Sequence, residues 1–288
     1  MNGPVLKISE FGSLNFRHDW RLHFQYPVGY VQRFLPSDNI YVQYSAVGQY
    51  VGNLQVWLTD GYGNDLQRLS VSTIKIVDGF AVDTVDWPKT PLTSGAYTLQ
   101  FRLAQYKRVI AWAPFCIVDE LQDSVLFSYT NFRDDFDTVF PDDTEIDFRV
   151  EAVWLPGDMS FLVKSESFRD QNGFTHQLSA LPYETRILTI GGGINAFGVP
   201  NWVARKVNNI FSCSSVYIDG EEYVRSDGAT PERTDIATDY PLFMYKITVE
   251  PQSGLTVRPL PEALLLAAED GRLIVTEDGK AIDMSYSI

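Results

Sequence analysis

Apolar and polar residues alternate one by one over several stretches of this chain. In "SGAYTLQFRLA" (94–104), Tyr97, Leu99, Phe101 and Leu103 fall on one face, and Thr98, Gln100 and Arg102 on the other. A period of two is the mark of a strand with one buried face. "EIDFRVEAVW" (145–154) repeats it, setting Ile146, Phe148, Val150, Ala152 and Trp154 against Glu145, Asp147, Arg149 and Glu151. "FMYKITV" (243–249) does so again through Phe243, Tyr245, Ile247 and Val249. "IYVQYSAV", "LQVWLTDG" and "STIKIVDG" also read as strands, the last two closed by Asp-Gly turns. One segment has helical character: 200–211, "PNWVARKVNNIF", with Pro200 suited to a first turn.

These elements predict a mainly β protein with two β-sandwich-like domains, one short helix near 200–211 and a C-terminal β-meander. Residues 1–120 read as an N-terminal arm (1–17) followed by an immunoglobulin-like sandwich. "TSGAYTL" (93–99) has the Gly-x-Tyr of a tyrosine corner, with Trp57 set to fill the place of a core tryptophan. The acidic link "IVDELQDS" (117–124) leads into a second mainly β domain, 121–250, which carries the helix. "PQSGLTVRPLPEA" (251–263), with three prolines and a glycine, is an extended connector to a tail at 251–288. There "AEDGRLIV" and "TEDGKAID" repeat at a spacing of eight, each with an Asp-Gly hairpin signal. Short strands of this kind need something to pack on. The tail is therefore the candidate assembly arm, through Leu264, Leu265, Leu266, Leu273, Ile274, Val275 and Ile282. Trp57, Tyr97, Phe101, Phe148, Trp154 and Trp202 are the candidate core.

The apolar content of 45% supports a sizeable core, and the abundance of Tyr, Phe and Trp favours pleated surfaces. A formal net charge of −14 repels phosphate backbones and anionic lipid, so neither direct nucleic-acid binding nor a membrane partner is expected. No apolar run reaches membrane-spanning length, and the first residues lack a secretory pattern. Synthesis in the cytoplasm is expected. Cys116 and Cys213 lie far apart, outside any C-x-x-C, and read as buried free thiols.

Candidate chemistry is sparse. Gly191-x-Gly193-x-x-Ala196 follows a strand and matches the dinucleotide fingerprint, with Asp219 ending a later strand. That mechanism needs the glycines at the helix N-terminus, and here the helix is expected several residues later, near Pro200. A structural glycine loop is the favoured reading. Asp134, Asp135, Asp137, Asp142, Asp143, Glu145 and Asp147 crowd one stretch, but without EF-hand spacing they read as an acidic turn rather than a calcium loop. His18, His23 and His176 form no zinc motif, and no G-x-S-x-G elbow or Walker A occurs. No cofactor, metal or catalytic residue is expected, and the chain reads as a non-enzyme.

Residues 114–250 carry "PFCIVDE", "LFSYTNFRDDFDTVF", "SFRDQNGFTHQLSALPYETRILTIG", "FGVPNWVARKVNNIFSC", "VYIDGEEYVRSDGA" and "YPLFMYKITVE". This text resembles a family of uncharacterised tail-region proteins of Bacteroidetes phages and prophages. The repeated "EDG" hairpins resemble the C-termini of phage tail and fibre-attachment proteins. The resemblance implies a virion structural subunit of a tail ring, collar or adaptor, made in the host cytoplasm. It would assemble with copies of itself and with other tail proteins through β-domain faces and terminal arms. The alternative is a carbohydrate-binding β-sandwich adhesin that stacks host glycan on an exposed aromatic such as Trp20, Trp87 or Trp112.

Overall fold

The computed structural model describes residues 6–17, 30–47, 50–77, 80–105, 108–133, 138–140, 144–193, 198–226, 232–235, 242–252, 264–265 and 283–284. The chain divides into two compact units, Met1–Phe161 with Glu184–Gln252, and Leu162–Tyr183 with Ser253–Ile288.

The first unit holds two cores. Its N-terminal part contains β1 (Leu6–Ile8), β2 (Gln32–Phe34), β3 (Gln43–Ala46), β4 (Leu54–Asp60), β5 (Asp65–Leu69), β6 (Val71–Val77), β7 (Phe80–Val85), β8 (Gly95–Leu103) and β9 (Arg108–Ile117). They form a four-stranded sheet, β1-β3-β7-β6, and a five-stranded sheet, β2-β9-β8-β4-β5. All ladders are antiparallel except β2 on β9. Alternate residues of β8 and β9 (Leu99, Phe101, Ala111, Ala113, Phe115) lie fully buried between the sheets. Tyr97 packs on this core, and its hydroxyl donates to the Thr93 carbonyl at 2.8 Å, four residues upstream. That hydrogen bond is the tyrosine-corner contact.

The second part contains β10 (Ser124–Thr130), β11 (Ile146–Arg169), β12 (Thr175–Ile190), α1 (Asn201–Ile210), β13 (Ser215–Ile218), β14 (Glu221–Arg225), β15 (Glu232–Asp235) and β16 (Phe243–Pro251). The ladder runs β12-β11-β10-β13-β14-β16, and β16 pairs back onto β12 from Arg186↔Val249 to Ile190↔Tyr245. The sheet is thus a closed six-stranded barrel, with β15 added on β16. Closure removes the unpaired edge that an open sheet would present. Phe127, Ile146, Phe148, Leu188 and Ile247 fill the interior. The helix turns Val203, Ala204, Lys206, Val207 and Ile210 into the same core. Those positions recur at one-, three- and four-residue steps, the stripe a helix buries on one side.

The chain is mainly β with one short helix among the described residues, as expected, and the second β-sandwich-like domain also closes its ladder through β12 on β16. Several expectations change. The strand expected at 145–154 continues to Arg169 and turns back as β12. No clean alternation marked this extension, because an exposed ribbon has no face to keep apolar. Residues 6–17 of the expected arm pack on their own chain: β1 pairs with β3, Phe11 enters the barrel core, and Leu14 and Phe16 enter the sandwich core. Trp57 belongs to neither core. Its neighbours Val56 and Leu58 point inward, so alternation turns Trp57 to the other face, where Arg102 lies over its ring. Trp87 packs on the core instead, tilted 5.9 Å from Phe115.

The second unit contains a hairpin formed by residues 162–169 of β11 and 175–183 of β12. It also holds the two-residue pair β17 (Leu264–Leu265) with β18 (Asp283–Met284), in register Leu264↔Met284. Leu266, Leu273, Ile274, Val275 and Ile282 of the expected arm lie outside the described residues.

Candidate functional site

The polar face of β11 joins the sandwich to the barrel. Asp147, Arg149 and Glu151 alternate with the buried Phe148 and Val150, so they leave the barrel wall side by side. Arg149 donates from Nε and Nη2 to the two carboxylate oxygens of Asp38, at 2.6 and 2.7 Å. Glu151 accepts from the Tyr30 hydroxyl at 2.8 Å and from Arg33 Nε at 2.9 Å. Burial, then the charge of Glu151, holds the Tyr30 phenol well above its ordinary pKa. Asp147 accepts from Ser128 Oγ at 2.6 Å, and burial raises its carboxyl above the usual range. The Asp38 side chain is only 1% exposed and Arg149 11%, so this pair is a charge clasp shielded from water.

The segment after β1 fastens the same two parts from another side. Ser9 Oγ and Thr138 Oγ1 share a hydrogen bond of 2.6 Å. The Tyr129 hydroxyl, wholly buried, donates to the Phe11 carbonyl at 2.5 Å. Lys206 Nζ donates to the Gly12 carbonyl and lies 4.6 Å from the centre of the Phe148 ring. Burial lowers the Lys206 ammonium to a pKa of about 7, against a weaker opposing pull from Glu10. Gln43 completes the set, donating to the Val139 carbonyl at 2.7 Å and accepting from the Val139 N–H at 2.9 Å.

The glycine run lies at the exit of β12. Gly191 has φ +74° and donates its N–H to the Glu151 carbonyl at 2.6 Å; a Cβ there would stand 2.7 Å from the Phe243 carbonyl oxygen. A Cβ on Gly193, φ +134°, would stand 2.6 Å from the Asp123 Cβ. The glycines let the backbone cross tightly between β10, β12 and β16. The helix opens at Asn201 after Pro200, well past Gly193, so its free N–H groups are not presented by the glycine loop.

The remaining predicted residues fall in different places. Tyr97, Phe101 and Phe148 are buried; Trp154 is half-buried and stacks 5.4 Å from Tyr223; Trp202 is half-buried and meets Tyr30 edge-on at 5.8 Å. Trp112 is half-buried and bridges to Arg17 through its backbone; Trp20 lies outside the described residues. So do Asp134, Asp135, Asp137, Asp142 and Asp143; Glu145 is exposed and Asp147 is part of the clasp. Cys213 is buried and Cys116 half-buried, neither joined in a disulfide, with burial raising the Cys116 thiol. Among the described residues no group of three or more His, Cys, Asp or Glu could hold a metal ion. No described helix is long and apolar enough to cross a membrane. A groove of about 540 Å³ runs beside β1 and β3, lined by Lys7, Ser9, Glu10, Gln43, Tyr44 and Thr138 among others.

The feature that sequence patterning missed is the hairpin 162–183. Leu162, Val163, Phe168, Phe174, Leu178 and Leu181 are all exposed, Phe174 by 67% and Leu178 by 65%. The turn is tightly made: Asp170 accepts from the N–H groups of Asn172 and Phe174 at 2.9 and 2.8 Å, and Phe168 stacks on His176 at 5.1 Å. A well-formed ribbon with large apolar side chains on its surface is suited to bind another surface. No family model, curated protein or solved structure matches the chain.

Proposed function

We propose that this chain is a structural subunit of a phage tail, a ring, collar or adaptor component made in the host cytoplasm and built into the virion. The observation that carries the reading is the exposed apolar hairpin 162–183 on a chain whose domains are otherwise fastened internally. A particle subunit needs a body that keeps its shape under load and a surface reserved for neighbours. The two-core unit, with its shielded Arg149–Asp38 clasp, fits the first need, and the hairpin fits the second. The likeness of residues 114–250 to tail-region proteins points the same way.

Gold-labelled antibody against the chain, applied to purified phage particles from a producing strain, tests the reading. Label clustered on the tail is the expected result. Particles that carry no label, with the chain left wholly in the particle-free fraction, would overturn it. In that case glycan-array binding becomes the measurement that separates an adhesin from other roles.

A further inference from the structure

We infer that the groove between α1 and the segment after β1 is a binding site for a small carboxylate, a property that goes beyond the subunit reading and does not depend on it. The groove has a volume of about 200 Å³ and is lined by Glu10, Asn15, Trp202, Arg205, Lys206 and Asn209 among others. Trp202, Arg205, Lys206 and Asn209 recur along the helix at the spacing that sets side chains on one face. Arg205, Lys206, Asn15 and Asn209 bring N–H donors to the groove, and most of these donors are uncommitted. Lys206 Nζ donates to the Gly12 carbonyl alone, and Arg205 donates from Nη2 alone, to Glu10 at 2.9 Å. The side-chain amides of Asn15 and Asn209 have no partner among the described residues.

Charge selects the ligand. Lys206 is 7% exposed, yet its described partners are a backbone carbonyl and the face of the Phe148 ring, with no carboxylate bonded to it. A buried ammonium is ordinarily matched by an anion. Glu10, from the segment after β1, is the charge that pulls on it, but that carboxylate is bonded to Arg205 and 63% exposed. Arg205, next along the helix, adds a second cation, and β11 presents only the Phe148 ring. Two cations therefore share one exposed carboxylate, and the groove is one negative charge short. A carboxylate ligand supplies that charge and two acceptor oxygens for the uncommitted donors. A phosphate would bring up to two charges into a chain whose net charge is already −14. An anion beside Lys206 also favours the ammonium over the amine. Binding then takes up a proton wherever the free protein holds the neutral amine, so affinity falls as pH rises above about 7.

The test titrates the full chain with acetate by calorimetry at constant ionic strength, with acetamide as the uncharged counterpart of similar size. Acetate should bind and acetamide should not, and acetate alone should raise the melting temperature. Affinity for acetate should fall about tenfold from about pH 6.5 to about pH 8.5, with binding heats that change with the ionisation enthalpy of the buffer. Arg205→Gln, a change at an exposed side chain, should keep the wild-type circular dichroism and weaken acetate about tenfold. Lys206→Met should abolish the proton uptake. Arg205→Gln keeps the test decisive even if Lys206→Met is poorly folded. The inference is overturned if wild type takes no acetate, or takes acetamide equally well. Acetate affinity that is the same in Arg205→Gln, or that shows no proton uptake above about pH 7, would also overturn it. None of these outcomes touches the subunit reading, which the labelled particles decide.

Discussion

Arg149 and Asp38, 111 residues apart in sequence, meet in a two-pronged ion pair of 2.6 and 2.7 Å between the barrel and the sandwich. Neither side chain is freely solvated, so their geometry carries more weight than an exposed pair would. Asp38 Oδ2 also accepts from the Leu35 N–H at 2.8 Å, which fixes the turn that delivers the carboxylate.

Removing one partner should cost more than removing both. Asp38→Ala leaves a shielded guanidinium without its carboxylate, and breaking a buried pair in this way costs roughly 3 kcal/mol. The double variant Asp38→Ala, Arg149→Met should lose less than the sum of the single losses. Urea unfolding of the four proteins forms the cycle. Additive losses would mean that the two residues act independently.

Stability should depend on pH through Lys206. Its folded pKa is about 7, below the 10.5 of an unfolded lysine, because burial disfavours the ammonium. Between those values the unfolded state binds the extra proton, so this group makes stability rise with pH across that window. Below about pH 7 both states are protonated and the penalty is present in full. Lys206→Met should therefore flatten the stability profile from pH 7 to about 10.5, measured by urea unfolding at stepped pH. An unchanged slope would assign the dependence to other groups.

The glycine at position 191 should tolerate no side chain. Its φ of +74° and the 2.7 Å approach of a Cβ to the Phe243 carbonyl oxygen make Gly191→Ala both strained and crowded. A loss of more than about 1 kcal/mol is expected. Gly63→Ala, also at positive φ but with open space around it, should cost less, and the two melting temperatures compare the effects.

Tyr129→Phe should loosen the segment that bridges the two cores. It leaves the Phe11 carbonyl without its buried donor, worth about 1–3 kcal/mol. Amide exchange should quicken first at Ser9 and Ser13, whose N–H groups bond to Gln43 and Tyr41. Exchange that quickens evenly over the whole chain would instead indicate global destabilisation alone.

Position along the chain already carries much of this protein. Alternation at 94–104, 145–154 and 243–249 is the physical imprint of a strand with one wet side, and the strands lie there. The helix could be read from Pro200 and the apolar stripe that follows, and the displaced start of that helix already separated the glycine run from a phosphate loop. What covers the other side of a strand is not written in its period. Asp147, Arg149 and Glu151 have the pattern of a solvent-facing row, yet Asp38, Arg33 and Tyr30 from another domain cover them. Trp57 and Trp87 are equally apolar in sequence; only the ladder registers turn one outward and let the other reach Phe115. The long hairpin left no alternation to read, because a ribbon without a buried face has no reason to keep one. Local periodicity thus determined the strands, the helix and their inward faces. Closure of the barrel, the clasp and the exposed ribbon depend on contacts between residues far apart in sequence, and these were settled only by the tertiary fold.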